Sequence, residues 1–306
     1  MRVLLHYDTA YTGADLDGAL DVVTCPEEDD ERFAALLPDT EVIWHVLRPL
    51  TTEDFDRAPK LRLVQKLGTG VNTIDLDAAA ERGIAVANMP GANAQAVAET
   101  TLLMMLAALR RVTAFDARTR QGRGWPADPA LVGGELAGRT VGLLGGGQIA
   151  GLLRGMLEAI GATVRYTSRR PRPDDPAWRE LDDLLRASDI LSVHVPLTAE
   201  THHLLDRDRL ALLPRGAIVV NTARGAVIDE AALVDALKSG HLAGAGLDVF
   251  EHEPVPAGNP LLALDTVVAM PHVAWLTRET WDRYFTVAVE NCRRLAAGED
   301  LLHRVR

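Results

Sequence analysis

The sequence predicts an α/β protein in which parallel sheets are covered by helices on both faces, divided into two domains. Three observations predict it. Short β-branched runs alternate with helical segments almost throughout, the pattern of parallel strands joined by helical crossovers. The length, 306 residues, accommodates two cores of ordinary size. Met89-Pro90-Gly91 then interrupts the alternation just before a long apolar helix, and a domain boundary is expected there.

Before that boundary, strands are expected at 2–7 (RVLLHY), 41–46 (EVIWHV), 61–67 (LRLVQKL) and 83–88 (GIAVAN). Helices are expected at 30–37 and 75–83, the second closed by Gly83. The apolar stretch 94–109 (AQAVAETTLLMMLAAL) contains Gln95, Glu99 and two threonines, which favours a buried or subunit-interface helix over a membrane span. A loop with Gly122, Gly124, Pro126 and Pro129 follows. Strands are then expected at 140–145, 163–168, 189–195, 217–222, 244–249 and 266–271, with helices between them. Asp229 is placed to cap the helix that Gly240 ends, and 275–298 reads as one amphipathic helix.

A formal charge of −11 argues against a nucleic-acid or anionic-membrane surface, since both select a positive excess. A small anionic substrate remains compatible, because a few placed arginines set the local sign. Cys25 and Cys292 are isolated, which suggests no disulfide framework and fits a reducing cytoplasm. The apolar run in MRVLLHYD is too short for a signal peptide and is expected to form a first strand.

Residues 145–150 read Gly-Gly-Gly-Gln-Ile-Ala, a G-x-G-x-x-A between an apolar strand and a helix. Gly145 would make the tight turn, and Gly147 would let the backbone approach a pyrophosphate at the helix N-terminus. Ala150 meets the third position's need for close packing. The next strand should end in an acid that binds the adenosine ribose of NAD. Here it ends in Ser168, Arg169 and Arg170. A carboxylate would repel the 2′-phosphate of NADP, whereas a hydroxyl and guanidinium groups would bind it. NADP is therefore favoured over NAD, the alternative being two solvated loop arginines.

Further stretches lie at the carboxyl ends of strands: VVNTARGAVID (219–229), GLDVFEHEP (246–254) and AMPHVAW (269–275). With KLGTGVNTIDLDAAAERGI (66–84) and HVPLT (194–198), they resemble the D-isomer-specific 2-hydroxyacid dehydrogenase family over residues 42–291. That family includes glyoxylate/hydroxypyruvate reductases, phosphoglycerate dehydrogenases and phosphite dehydrogenases. The resemblance implies two Rossmann-like doubly wound domains. Residues 1–92 with 274–306 would form a flavodoxin-like substrate domain, and 93–273 an inserted NAD(P)-binding domain. Hinges would lie near residues 90–93 and 272–275. The helix from Ala94 matches the family's dimerisation element, so a homodimer is expected.

By the same resemblance Arg224 binds the substrate, its guanidinium pairing with a carboxylate while polarising the adjacent carbonyl. His272 is the acid–base residue, and Glu253 is its carboxylate partner. Asp248 matches the residue facing the nicotinamide carboxamide. Gln148 and Ile149 would offer amides to the pyrophosphate, and Thr222 would line the cofactor cleft. Thr69, Gly70 and Val71 match the segment whose amides grip the substrate carboxylate. Arg48 lies near that segment and would add positive charge to the pocket, a solvated arginine being the equal alternative. His252 belongs on the surface, and His194 packs or hydrogen-bonds structurally. Leu50, Trp275, Trp281 and Tyr284 are candidates to set pocket size. His202-His203 has no cysteine or carboxylate at ligand spacing, so no metal is expected.

The implied activity is NADP(H)-favoured reduction of a small 2-oxo acid, glyoxylate or hydroxypyruvate. Phosphite dehydrogenase is the enzyme alternative. Formate dehydrogenase fits less well, because that branch carries glutamine where Glu253 stands. A nicotinamide-sensing, non-catalytic scaffold is the alternative from another class.

Overall fold

A computed structural model of the chain describes residues 1–9, 18, 20–126 and 128–306. The described chain forms two compact units, Met1–Asn93 with Leu276–Arg306, and Ala94–Trp275. Each is built on a parallel sheet, as the alternation of strands and helices predicts.

The first unit contains β1 (Arg2–His6), β2 (Asp21–Cys25), α1 (Asp30–Leu36), β3 (Val42–His45), α2 (Thr52–Asp56), β4 (Leu63–Lys66), α3 (Leu76–Glu81) and β5 (Ala85–Ala87). Its strands lie in the order β2-β1-β3-β4-β5, the flavodoxin-like order. Strand β2 is absent from the sequence-based expectation. It is an edge strand, DVVTC, flanked by the acidic run PEEDD, and shows neither alternation nor a continuous apolar run. The central strands are buried along their whole length, because helices cover both faces of the sheet. Leu4, Phe33, Ile43, Val64 and Val86 are core residues of this unit.

The second unit contains α4 (Ala94–Leu109), α5 (Val112–Arg120), β6 (Thr140–Leu144), α6 (Gln148–Ile160), β7 (Thr163–Thr167), α7 (Leu181–Ala187) and β8 (Ile190–Val193). It continues with α8 (Arg207–Leu212), β9 (Ala217–Asn221), α9 (Glu230–Lys238), β10 (Leu242–Leu247) and β11 (Val267–Ala269). The strand order is β11-β10-β9-β8-β6-β7. The chain leaves β6 toward β7 on one side and returns on the other side as β8, so β6 and β8 flank the point where the winding reverses. Ligands bind at the carboxyl ends of strands at such a point. Met104 of α4 and Leu153 and Leu157 of α6 pack on one face with Leu143 and Val220. Leu185, Leu191, Val219 and Leu233 belong to the other core.

The expected strand at 244–249 runs instead from Leu242 to Leu247, so Asp248 and Val249 fall in the loop beyond it. This shift is what frees Asp248 for the hydrogen bonds described below. Asp229 caps α9 as expected, accepting from the Ala232 amide.

The chain re-enters the first unit as α10 (Arg278–Ala297), three residues later than its expected start. Thr277 accepts the Thr280 amide and sets that start, and Gly298 ends the helix at φ +70°. Phe285 lies 5.2 Å from the Trp281 ring, stacked, and 5.7 Å from that of Trp44. Leu50, Trp281 and Tyr284 are all buried here, and Trp275 is buried in the second unit. No described helix is long and apolar enough to cross a membrane. Cys25 and Cys292 are free and buried.

Candidate active site

Gly145 follows β6 at φ +119°, and a Cβ there would lie 2.7 Å from the His194 carbonyl oxygen. Only glycine turns the chain at that approach. Gly147 caps α6, and a Cβ on it would meet nothing within 4 Å, so the space above it is open. The result is a cleft of about 1090 Å³ lined by Gly145, Gly147, Tyr166, Ser168, Arg169 and Arg170, among others. Ala150 packs at 2% exposure. The first ladder bond of α6 runs from the Gly151 amide to the Gly147 carbonyl, which leaves the amides of Gln148 and Ile149 ahead of it. A narrow glycine turn, open space and a positive helix end together fit a dinucleotide pyrophosphate. Gln148, Ile149, Thr222 and Asp248 are not among the residues that line this cleft.

At the far end of the cleft, the Ser168 hydroxyl donates to the Arg170 carbonyl at 2.7 Å and ties the turn that presents both arginines. Among the described residues no carboxylate lies within 4.0 Å of Arg169, Arg170 or Arg172, although Glu200 in the same cleft feels the Arg169 charge and Arg48, Arg82, Arg118, Arg154, Arg293 and Arg294 are all directly paired. Tyr166 beneath the turn donates to Asp175 at 2.9 Å, a brace that the sequence did not reveal. His194 also borders the cleft, its Nε2 2.9 Å from the Ser192 hydroxyl, and burial lowers its pKa to about 4.

The loop after β9 carries Arg224. Asn221 holds it from both sides, accepting the Ala223 amide at 3.0 Å and donating to the Arg224 carbonyl at 2.8 Å. Asn221 was not singled out from sequence, although it opens the NTARG stretch. A Cβ on Gly225 would lie 1.9 Å from the Phe250 carbonyl carbon, so glycine lets this loop pass directly against the chain leading to Glu253. Burial lowers the Arg224 pKa, opposed by the Glu253 charge.

His272 follows β11 at φ +57°, an unusual conformation for a residue with a Cβ. Its Nδ1 lies 2.6 Å from Oε2 of Glu253. Glu253 also accepts the Phe250 amide at 2.9 Å. Burial raises the Glu253 pKa, but the His272 hydrogen bond and charge, the Phe250 amide and the Arg224 charge together bring it below the ordinary value. Asp248 lies in the loop just beyond β10. Its carboxylate accepts the amides of Val273 at 2.8 Å and Ala274 at 2.9 Å, and its carbonyl accepts the His272 amide at 2.7 Å. Asp248 thus builds the turn that presents His272. Burial raises its pKa against those amide bonds. Thr222 pairs with the hydroxyl of Thr101 in α4 at 2.9 Å. Trp275 donates to the His272 carbonyl at 3.0 Å. His252 is exposed.

In the first unit, Thr69, Gly70 and Val71 follow β4 in a loop held by Asn88, whose side-chain amide donates to the Thr69 carbonyl at 2.8 Å. Their three amides find no acceptor among the described residues. Arg48 is not the solvated arginine of one reading, its side chain being 24% exposed. Its guanidinium is 2.9 Å from Asp30 and 3.4 Å from Asp54 and lies over the Phe33 ring, so it is paired within its own unit.

Comparison with known proteins gives one consistent result. Residues 102–274 match the family model "D-isomer specific 2-hydroxyacid dehydrogenase, NAD binding domain". The chain is 42% identical to a glyoxylate reductase of Aeropyrum pernix over 253 residues, 79% of this chain and 76% of that protein. It is 39% identical over 279 residues to a D-3-phosphoglycerate dehydrogenase of Mycobacterium tuberculosis, 89% of this chain and 52% of that protein. The solved structure of the TT0316 protein from Thermus thermophilus superposes with a TM-score of 0.88 at 37% identity, covering 100% of both chains.

Proposed function

The chain belongs to the D-isomer-specific 2-hydroxyacid dehydrogenase family, and from that premise we propose that it reduces a small 2-oxo acid of the glyoxylate or hydroxypyruvate type, with NADPH the favoured donor. It is an oxidoreductase with a nicotinamide-cofactor domain. The observation that carries the reaction class is the 2.6 Å contact between His272 Nδ1 and Glu253.

That contact fixes Nδ1–H toward the carboxylate and leaves Nε2 to move a proton. His272 gives this proton to the substrate oxygen during reduction and recovers it in the reverse direction. A bound nicotinamide would supply or accept the hydride. Arg224, lowered in pKa by burial but strongly basic, pairs with the substrate carboxylate and polarises the carbonyl. The free amides of Thr69, Gly70 and Val71 are proposed as carboxylate donors in their own unit. Asp248 acts through the backbone of the His272 turn.

The preference for NADPH rests on Ser168, Arg169 and Arg170 at the cleft and on the absence, among the described residues, of a carboxylate within 4.0 Å of either arginine. NADH remains the cofactor alternative. We also propose a homodimer assembled through α4, whose Leu103 is 58% exposed and whose Leu106, one turn on, is exposed as well.

The experiment is a panel of glyoxylate, hydroxypyruvate and larger 2-oxo acids with NADPH, run beside phosphite oxidation with NADP+. Turnover confined to small 2-oxo acids supports the proposal. Turnover with phosphite alone would replace it.

A further inference from the structure

From the second unit we infer a divalent transition-metal site, of the type zinc occupies, formed by His202, His203 and Glu251. The fold supplies the carboxylate that the local sequence lacks. Glu251 lies 48 positions from His203, yet its Oε1 is 2.8 Å from His203 Nε2.

Consecutive side chains ordinarily diverge, about 100° apart in a helix and on opposite faces in a strand. His202 and His203 do not diverge. His203 adopts φ +49°, which brings the two imidazoles into a stack with centroids 4.0 Å apart and planes 28° apart. Two main-chain bonds hold this arrangement, from the His202 amide to Thr198 at 2.9 Å and from the His203 amide to Ala226 at 2.8 Å. Glu251 is fixed independently, its amide donating to Glu230 at 3.1 Å. One ligand atom from each of the three side chains lies within 4.8 Å of the others.

Donors on a tetrahedral zinc at about 2.0–2.2 Å stand roughly 3.3 Å apart. His203 and Glu251 are already closer than that, and the remaining contraction falls to His202, which is exposed and able to rotate. Two imidazoles and one carboxylate form a borderline donor set suited to Zn²⁺, Ni²⁺ or Cu²⁺ rather than to Ca²⁺ or Mg²⁺. Binding would replace the His203–Glu251 hydrogen bond with two metal bonds and would leave the outer position to water. None of the three lines the dinucleotide cleft, although Thr201 and Leu204 on either side of the histidine pair do, so the site adjoins the cleft without sharing its lining.

The test is Zn²⁺ titration of the full chain, previously treated with chelator, by isothermal calorimetry, with the melting temperature followed in parallel. The expected result is one equivalent bound at micromolar affinity and a rise in Tm with added Zn²⁺. His202→Ala removes an exposed ligand that has no part in either core. It should weaken binding at least tenfold while leaving both Tm in chelator and the reductase kcat unchanged. Glu251→Gln should weaken binding as well. If His202→Ala binds Zn²⁺ as tightly as the parent, the metal sits elsewhere, for example on His272 and Glu253, and the inference is overturned. Absence of stoichiometric binding at 100-fold excess over micromolar affinity would overturn it too.

Discussion

Nδ1 of His272 lies 2.6 Å from Oε2 of Glu253, 19 positions earlier in the chain. Each partner is held by main chain, Glu253 by the Phe250 amide and His272 by the turn that Asp248 ties. The pair is therefore rigid before substrate arrives. His272→Ala should lower kcat on the order of 10²- to 10⁴-fold while NADPH binding, followed by fluorescence, is unchanged. Glu253→Gln, which keeps the shape but removes the charge, should lower kcat by a smaller factor. Parental activity in His272→Ala would remove it from the acid–base role.

Arg169 borders the cleft with no carboxylate within 4.0 Å among the described residues, Glu200 lying farther off in the same cleft. A charge-assisted contact to a 2′-phosphate contributes about 1.5–3 kcal/mol, roughly 10- to 100-fold in affinity. Arg169→Ala should raise the KM for NADPH by about that factor and leave the KM for NADH nearly unchanged. Equal changes for both cofactors would return Arg169 to the solvated surface.

Gly225 and Gly147 should respond to alanine in opposite ways. At Gly225 the new Cβ would collide with the Phe250 backbone, whereas at Gly147 it would project into open space. Gly225→Ala should destabilise the protein by about 3 kcal/mol, read as a lowered Tm, and should displace Arg224. Gly147→Ala should melt near the parent temperature but bind cofactor more weakly. Matching melting temperatures would show that the Gly225 loop is not tightly packed.

His6 is fully buried, stacked on Phe33 at 4.0 Å. Burial, then the Arg48 charge, lower its pKa from 6.5 to about 4 against the opposing charges of Asp54 and Asp30. The folded chain thus resists a proton that the unfolded chain accepts. Stability should be undiminished above pH 6.5 and fall as pH drops from 6.5 to about 4, by up to ~3 kcal/mol. Urea unfolding at several pH values tests this, and a His6→Leu variant should lose part of the slope, the rest belonging to groups such as buried His45, which is shifted down by burial as well. Identical slopes in both would assign the effect to other groups. His194 shifts in the same direction, but it borders the cleft, so His6 is the cleaner test.

The exposed Leu103 of α4 gives the assembly a direct test. The parent should sediment as a dimer, and Leu103→Asp should shift it toward monomer. A monomeric parent would remove α4 as an interface.

Local patterns made much of this molecule legible. Alternation gave the parallel sheets, because strands covered on both faces are continuous apolar runs. The turn at Gly145 and the order NTARG, DVFEHEP, MPHVAW were readable because each sits at a strand end, where a few residues define a motif. Relationships across the chain were not readable. Strand β2 lacks alternation, and Asp248 could not be recognised as the clamp on the His272 turn until β10 was seen to end at Leu247. Arg48 looked available because Asp30 and Asp54 reach it only through the fold. Glu251 is distant from His203 in sequence for the same reason.

The most direct measurement is the initial rate of nicotinamide oxidation with glyoxylate and hydroxypyruvate, run in parallel with NADPH and NADH. Turnover on either acid with a higher kcat/KM for NADPH is the predicted result. Turnover favouring NADH would keep the reductase and contradict the reading of Ser168, Arg169 and Arg170. No turnover with either cofactor would contradict the proposed activity itself.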